Sequence, residues 1–107
     1  MLLTTQDHFA EYEIVKTLGV VKGNTVRARH VGKDMLAAFR NVVGGEIEEY
    51  TKLLAESREQ SIDRMCTAAK KMGADGIVCI RFTTSSIMQS AAEMFVFGTA
   101  VTLKKKE

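Results

Sequence analysis

Val42-Val43-Gly44-Gly45-Glu46-Ile47-Glu48-Glu49-Tyr50 opens a proline-free amphipathic run that reaches Met72. Two adjacent glycines end one short helical pattern, and a carboxylate sits where the next helix begins. From Glu46 onward, apolar or small residues recur at Ile47, Tyr50, Leu53/Leu54, Ser57, Ser61/Ile62, Met65, Ala68/Ala69 and Met72. Steps of three and four dominate, so the run specifies a helix, and Gly73 supplies its C-cap. At about 1.5 Å per residue this helix extends close to ~40 Å. A seven-residue strand covers only about 23 Å. Part of the helix is therefore expected to overhang its sheet, or to kink at Ser57. An overhanging apolar seam finds its simplest partner in another copy of the chain. Ser57 and Ser61 are small enough to let another backbone approach the middle of the helix.

Upstream, Met1–Thr5 is short and β-like, and Gln6-Asp7-His8 reads as a polar turn. Glu13–Val21 is rich in β-branched residues, Lys22-Gly23-Asn24 supplies a turn, and Thr25–Arg29 returns, which together predict a β-hairpin. Alternation then points Val26 and Ala28 into the core and leaves Thr25, Arg27 and Arg29 on the other face. Asp34 caps a short helix over Met35–Val43, stopped by Gly44-Gly45. Downstream, Gly76–Phe82 reads as a strand buried on both faces for most of its length, fraying at Thr83-Thr84-Ser85-Ser86. Glu93–Leu103 is the last strand, and Lys104–Glu107 a solvated tail. The order is β-β-α-α-β-β, an α+β domain in which one short and one long helix cover one face of an antiparallel sheet.

At 107 residues the chain is one domain, 1–107, and 46% hydrophobic with 26% charged residues is a globular composition. Fifteen basic against 13 acidic residues leaves a net charge of +2, which calls for neither nucleic acid nor an anionic membrane. Two cysteines without a secretory signal suit a reduced, cytoplasmic setting. Aromatic content is 7%, with six methionines and no tryptophan. A core with so few large anchors gains from self-association.

The closing glycines and the hairpin carry a family resemblance. Gly19-Val20-Val21-Lys22-Gly23, Val26-Arg27-Ala28-Arg29, Val42-Val43-Gly44-Gly45-Glu46 with Tyr50, Arg58, Gly73-Ala74-Asp75-Gly76 leading into Ile77-Val78, and Gly98-Thr99-Ala100-Val101 occur in the order found in the YbjQ-like family of small bacterial and archaeal proteins. The chain resembles that family over nearly its whole length. The resemblance implies a small dodecin-like or YbjQ-like α+β domain with two helices, assembled as a homo-oligomeric ring, most often a pentamer. The family's usual label, heavy-metal binding, names no established reaction. Relatives tend to carry a small residue, often glycine, where this chain has Cys79, so no role for Cys79 follows from the resemblance.

A soft metal ion, the cofactor that label suggests, wants thiolates or imidazoles at short spacing. Cys66 lies on a helix, Cys79 on a strand, and His8 and His30 in separate turns, so the two cysteines are weak metal candidates and more simply buried residues. Arg27 and Arg29 project from one strand and Arg81 from another. If the strands are neighbours, three guanidiniums gather around a carboxylate or phosphate, although Glu46, Glu48, Glu49 and Glu93 offer ion-pair partners. Gly44-Gly45-Glu46 lacks the spacing of a phosphate loop, and Glu46 would repel the ligand. Tyr50 and Arg58, eight residues apart, share a helical face suited to an interface pocket. No serine or cysteine has an adjacent base, and neither histidine sits in a catalytic arrangement. The expectation is a non-enzymatic binding or scaffold protein whose ligand sits between subunits. Arg29, Arg81 and Glu93 would supply its polar contacts. A metal-handling protein and an enzyme acting at the interface are the alternatives.

Overall fold

Along the chain run β1 (Leu2–Leu3), β2 (Tyr12–Ala28), α1 (Glu48–Lys71), β3 (Gly76–Met88) and β4 (Ala91–Lys105). The computed structural model describes residues 1–28, 48–88 and 91–107. The short helix expected over Met35–Val43, the Gly44-Gly45 corner, His30 and Arg29 all lie outside the described residues. The four strands form one sheet in the order β1-β3-β4-β2. β2 and β3 each pair antiparallel with β4, while β1 runs parallel to β3. The expected all-antiparallel sheet is thus corrected to a mixed one. The parallel pair arises because Leu2 and Leu3 align with Gly76 and Ile77 at the start of β3.

The predicted hairpin at Lys22-Gly23-Asn24 does not form. β2 is a single strand of 17 residues, and its ladder with β4 is unbroken from Gly19↔Ala100 to Ala28↔Ala91. Gly23 serves a different purpose there. A Cβ at this position would run into the carbonyl oxygen of Ser61 and lie 2.6 Å from the amide nitrogen of Met65. The glycine lets the helix backbone rest directly on the strand, the other common reason for a glycine within a strand.

That close approach also reverses the expected facing of β2. Thr25, at 2% exposure, turns toward the helix, and Val26, at 54%, turns away. Thr25 Oγ1 donates to Ser57 O (3.1 Å) and shares hydrogen bonds with Ser57 Oγ (2.9 Å) and Ser61 Oγ (3.1 Å). Ser61 Oγ further donates to Ser57 O (2.9 Å) and Met94 O (3.3 Å). Every oxygen in the cluster has a partner, so burying three hydroxyls costs little. The small residues read as a close-approach stripe do form one, and they meet β2 of their own chain.

α1 runs antiparallel to β2, with Ser57 at Thr25, Ser61 and Met65 at Gly23, and Met72 beside Gly19. Its end is a Schellman motif. Ala74 N–H donates to Ala69 O, and Gly73 N–H to Lys70 O, with Gly73 at φ +82°. Lys70 and Lys71 complement the negative end of the helix dipole. Between helix and sheet lies the core: Val21, Met65, Ala69, Ile77, Ile80, Val96 and Ala100.

The length argument also reverses. Twenty-four helical residues span about 36 Å, whereas the 17 residues of β2 span about 56 Å. Here the sheet outruns the helix, and Tyr12–Thr17 extend past the helix end. An overhanging helix therefore provides no ground for assembly.

Candidate functional site

β3 does not run straight. Cys79 adopts φ +56° at a register shift between Val78 and Arg81, a β-bulge that leaves two consecutive amides facing the same way. The N-terminal segment takes both: Cys79 N–H donates to Gln6 O (2.9 Å) and Ile80 N–H to Thr4 O (3.2 Å), while Thr4 N–H donates to Ile77 O (3.1 Å). Arg81 closes the arrangement, its Nη1 donating to Thr5 O and to Ile80 O, both at 2.8 Å. Four chain-to-chain hydrogen bonds thus strap residues 4–6 to the bulge.

A backbone at φ +56° favours glycine. At φ +56° a side chain crowds its own backbone, which costs roughly 1–2 kcal/mol for a residue other than glycine. Cys79→Gly is expected to raise stability by about 0.5–1 kcal/mol, once the extra entropy that glycine loses is subtracted. Chemical denaturation of the two proteins measures it. A loss of stability would show that packing of the half-buried thiol outweighs the strain.

Between the strap, the bulge and the helix lies an open cleft of about 270 Å³, lined by Leu3, Thr4, Thr5, Ile62, Met65, Ile80 and Phe82. α1 packs chiefly over β2 and β4, with Ile77 and Ile80 of β3 buried against it. Phe82 stands 45% exposed at its outer rim. Among the described residues none that lines it is titratable. The cleft can take up apolar groups, with the two threonines as its polar side, and it offers nothing to move a proton.

The charged residues singled out in the sequence do not converge here. Arg81 is exposed and committed to main-chain carbonyls. Glu93 is half-buried and accepts a hydrogen bond from Asn24 Nδ2 (3.3 Å). The register sets Arg81 opposite Phe97 and Glu93 opposite Ser85, four positions along the strand or about 13 Å. Arg27 pairs with Ala92 at the far end of β2, Tyr50 lies in the first turn of α1, and Arg58 is exposed on the helix. Within one chain Arg58, Arg81 and Glu93 lie apart, and the side chains of Arg27 and Tyr50 are outside the described residues.

Cys66 and Cys79 are both free thiols and half-buried. Cys66 packs against the core. Burial pushes its thiol above the ordinary range, and the Asp63 carboxylate adds to the shift while Lys70 opposes it. His8 Nδ1 lies 2.8 Å from Asp7 Oδ1, on the surface; that hydrogen bond and the imidazole's charge lower the Asp7 pKa. Among the described residues no three His, Cys, Asp or Glu side chains group as metal ligands would. No helix among the described residues is long and apolar enough to cross a membrane. A shallow dish on the outer face of α1, lined by Lys52, Ala55, Glu56, Glu59, Gln60 and Asp63, is acidic and fully open.

Sequence reasoning missed the cleft. Its walls come from residues 3–5, 62–65 and 80–82, and only the bulge and the strap bring them together. The run Gly76–Phe82 reads as an uninterrupted strand, with nothing local to mark the bulge at Cys79.

Known proteins match the chain from end to end. A YbjQ family model, described as "Putative heavy-metal-binding", matches residues 1–104. A UPF0145 protein of Dehalococcoides mccartyi is 54% identical over 94% of this chain and 97% of its own length. One from Methanococcus vannielii is 53% identical over 98% of this chain and all of its own. A solved structure of a DUF74-family protein of unknown function from Pediococcus pentosaceus superposes with a TM-score of 0.67 over 97% of this chain and 98% of that one, at 14% identity. That likeness is one of fold.

Proposed function

This chain belongs to the YbjQ family of UPF0145 proteins, and on that footing we propose that it is a cytoplasmic, homo-oligomeric binding or scaffold protein, a closed ring of about five copies, whose ligand sits at subunit boundaries. The observation that carries this reading is the apolar cleft along β3, open to solvent at Phe82 and free of titratable groups. Large apolar residues exposed elsewhere on the sheet add support, Val15 at 63% and Val20 at 74%. Exposed apolar surface of this kind marks sites where a protein meets a partner. Arg58 and Arg81, both solvent-exposed, are the charged residues such a boundary would take in at its rim.

Heavy-metal binding, the function in the family's description, draws less support from the side chains. Cys66 packs against the core from the helix, and Cys79 sits apart on the β3 bulge. Native mass spectrometry of the protein as purified, without added metal, tests both readings. The expected spectrum is a bare ring. A fixed extra mass per subunit that disappears in Cys66→Ser or Cys79→Ser would favour metal. A monomer would remove the assembly.

A further inference from the structure

α1 packs on one face of the sheet, and the register sets side chains in rows across the other. Lys22 and Arg81 flank Phe97, Asn24 and Thr83 flank Phe95, and Val26 and Ser85 flank Glu93. Val96 and Ala100, out of phase with these by one residue, lie in the core against the helix. The hydrogen bond from Asn24 Nδ2 to Glu93 Oε2 (3.3 Å) runs along this second face. At the Gly76 end the chain covers the face itself. Val78 and Val101 are buried there, and Phe9 Cε2 lies 3.1 Å from where a Cβ on Gly76 would stand. Past them the face is open. Lys22, Asn24 and Val26 on β2 are exposed, and so are Arg81, Thr83 and Ser85 on β3. Between these two exposed rows β4 carries Phe95 and Phe97, with ring centroids 5.6 Å apart.

The charges on this face complement a second copy of it. Phe95 stands midway between Phe97 and Glu93, about 7 Å along the strand from each. Consider a two-fold axis lying in the sheet plane, across the strands and through Phe95. It turns the face onto itself with β4 over β4 and β2 over β2. Glu93 of one copy then lies over Phe97 of the other, in the gap between Lys22 and Arg81. Each cation stands on a strand about 4.8 Å to the side. Phe95 meets its counterpart on the axis, and Val26 falls on the aliphatic stem of Lys22. An axis along the strands would instead set Glu93 against Glu93 and Lys22 against Arg81, like upon like. Arg81 keeps its charge for this contact while its Nη1 holds Thr5 O and Ile80 O.

We propose that the face of the sheet turned away from α1, centred on Phe95 and Phe97, is an interface between two copies of this chain stacked sheet on sheet about that two-fold axis. Stacked sheets stand about 10 Å apart with their inner side chains interdigitating. The two phenylalanines supply an apolar centre and the charged rows a polar border. This contact goes beyond the ring and does not depend on it. A two-fold contact pairs copies, so a ring whose members all make it is one of two rings back to back, with an even number of subunits.

Native mass spectrometry of the wild-type protein is expected to give an even subunit count, about ten where rings of five stack. A ring with an odd count would overturn the proposal and leave the ring standing. A plain dimer would uphold the proposal and remove the ring, and a monomer would remove both. Glu93→Lys sets a third cation between Lys22 and Arg81, where like charges repel. Analytical ultracentrifugation should show the dissociation constant for pairing raised by at least about tenfold, with a thermal melt confirming the fold. Adding Lys22→Glu restores opposite charges across the contact and should recover at least about threefold of that loss. A folded Glu93→Lys that pairs as tightly as wild type, or a double variant no tighter than the single, would refute the interface. Should Glu93→Lys not fold, the wild-type subunit count decides.

Discussion

Gly23→Ala lowers the stability of this domain by about 3 kcal/mol, toward the upper end of what overpacking a protein interior costs. The added methyl meets the Ser61 carbonyl and the Met65 amide, which are helix backbone. Side chains can rotate out of the way, but a hydrogen-bonded helix moves only as a body. Shifting it also stretches the Thr25, Ser57 and Ser61 hydrogen bonds. A thermal melt is expected to drop by on the order of 10 °C. Gly73→Ala makes the control. That glycine has φ +82° and nothing within 4 Å of its missing Cβ, so its loss is conformational and costs about 1 kcal/mol. If Gly23→Ala proves no worse than Gly73→Ala, the close contact between α1 and β2 is wrong.

The second large effect belongs to Thr25→Val, a change of nearly constant shape. It removes the hydroxyl at the centre of the buried cluster, and the Ser57 and Ser61 hydroxyls stay buried at 1% and 0% exposure. Depriving buried polar groups of a partner costs about 1–3 kcal/mol. Ser61 Oγ keeps its hydrogen bonds to Ser57 O and Met94 O, which places the loss near ~2 kcal/mol. The informative experiment is the triple variant Thr25→Val, Ser57→Ala, Ser61→Ala. With no hydroxyl left unsatisfied, it should regain part of the loss, and urea denaturation would show it. A triple variant less stable than the single by the sum of separate losses would mean the cluster contributes net stability rather than register.

Much of the architecture was legible along the chain because it is local. Steps of three and four from Leu53 to Met72 specify α1, and Gly73 marks its end. β-Branched alternation marks β3 and β4. Where the reading went wrong, the reason was tertiary. Gly23 between polar neighbours has the look of a turn, and only the helix resting on it reveals a strand. Thr25 looks like a surface residue until Ser57 and Ser61 arrive opposite it. The strap, the bulge and the cleft bring together residues more than 70 positions apart in sequence, such as Thr5 and Arg81. Arg81 was recognisable as a strand arginine, but its commitment to two carbonyls was not.

The pairing of β2 with β4 also sets the order in which this chain can fold. Ala28 meets Ala91 at the near end of the ladder, and Tyr12 meets Lys105 at the far end. α1 and the β3–β4 hairpin are local and can form early. The first long strand has no partner until the last one exists, so the sheet closes through contacts of high order, the slow kind. Until then 17 residues of strand stand exposed on a nascent chain. Arg64 Nη1, which donates to Asn24 O (2.7 Å) from α1, therefore covers part of that strand as soon as the helix docks on it, before β4 arrives.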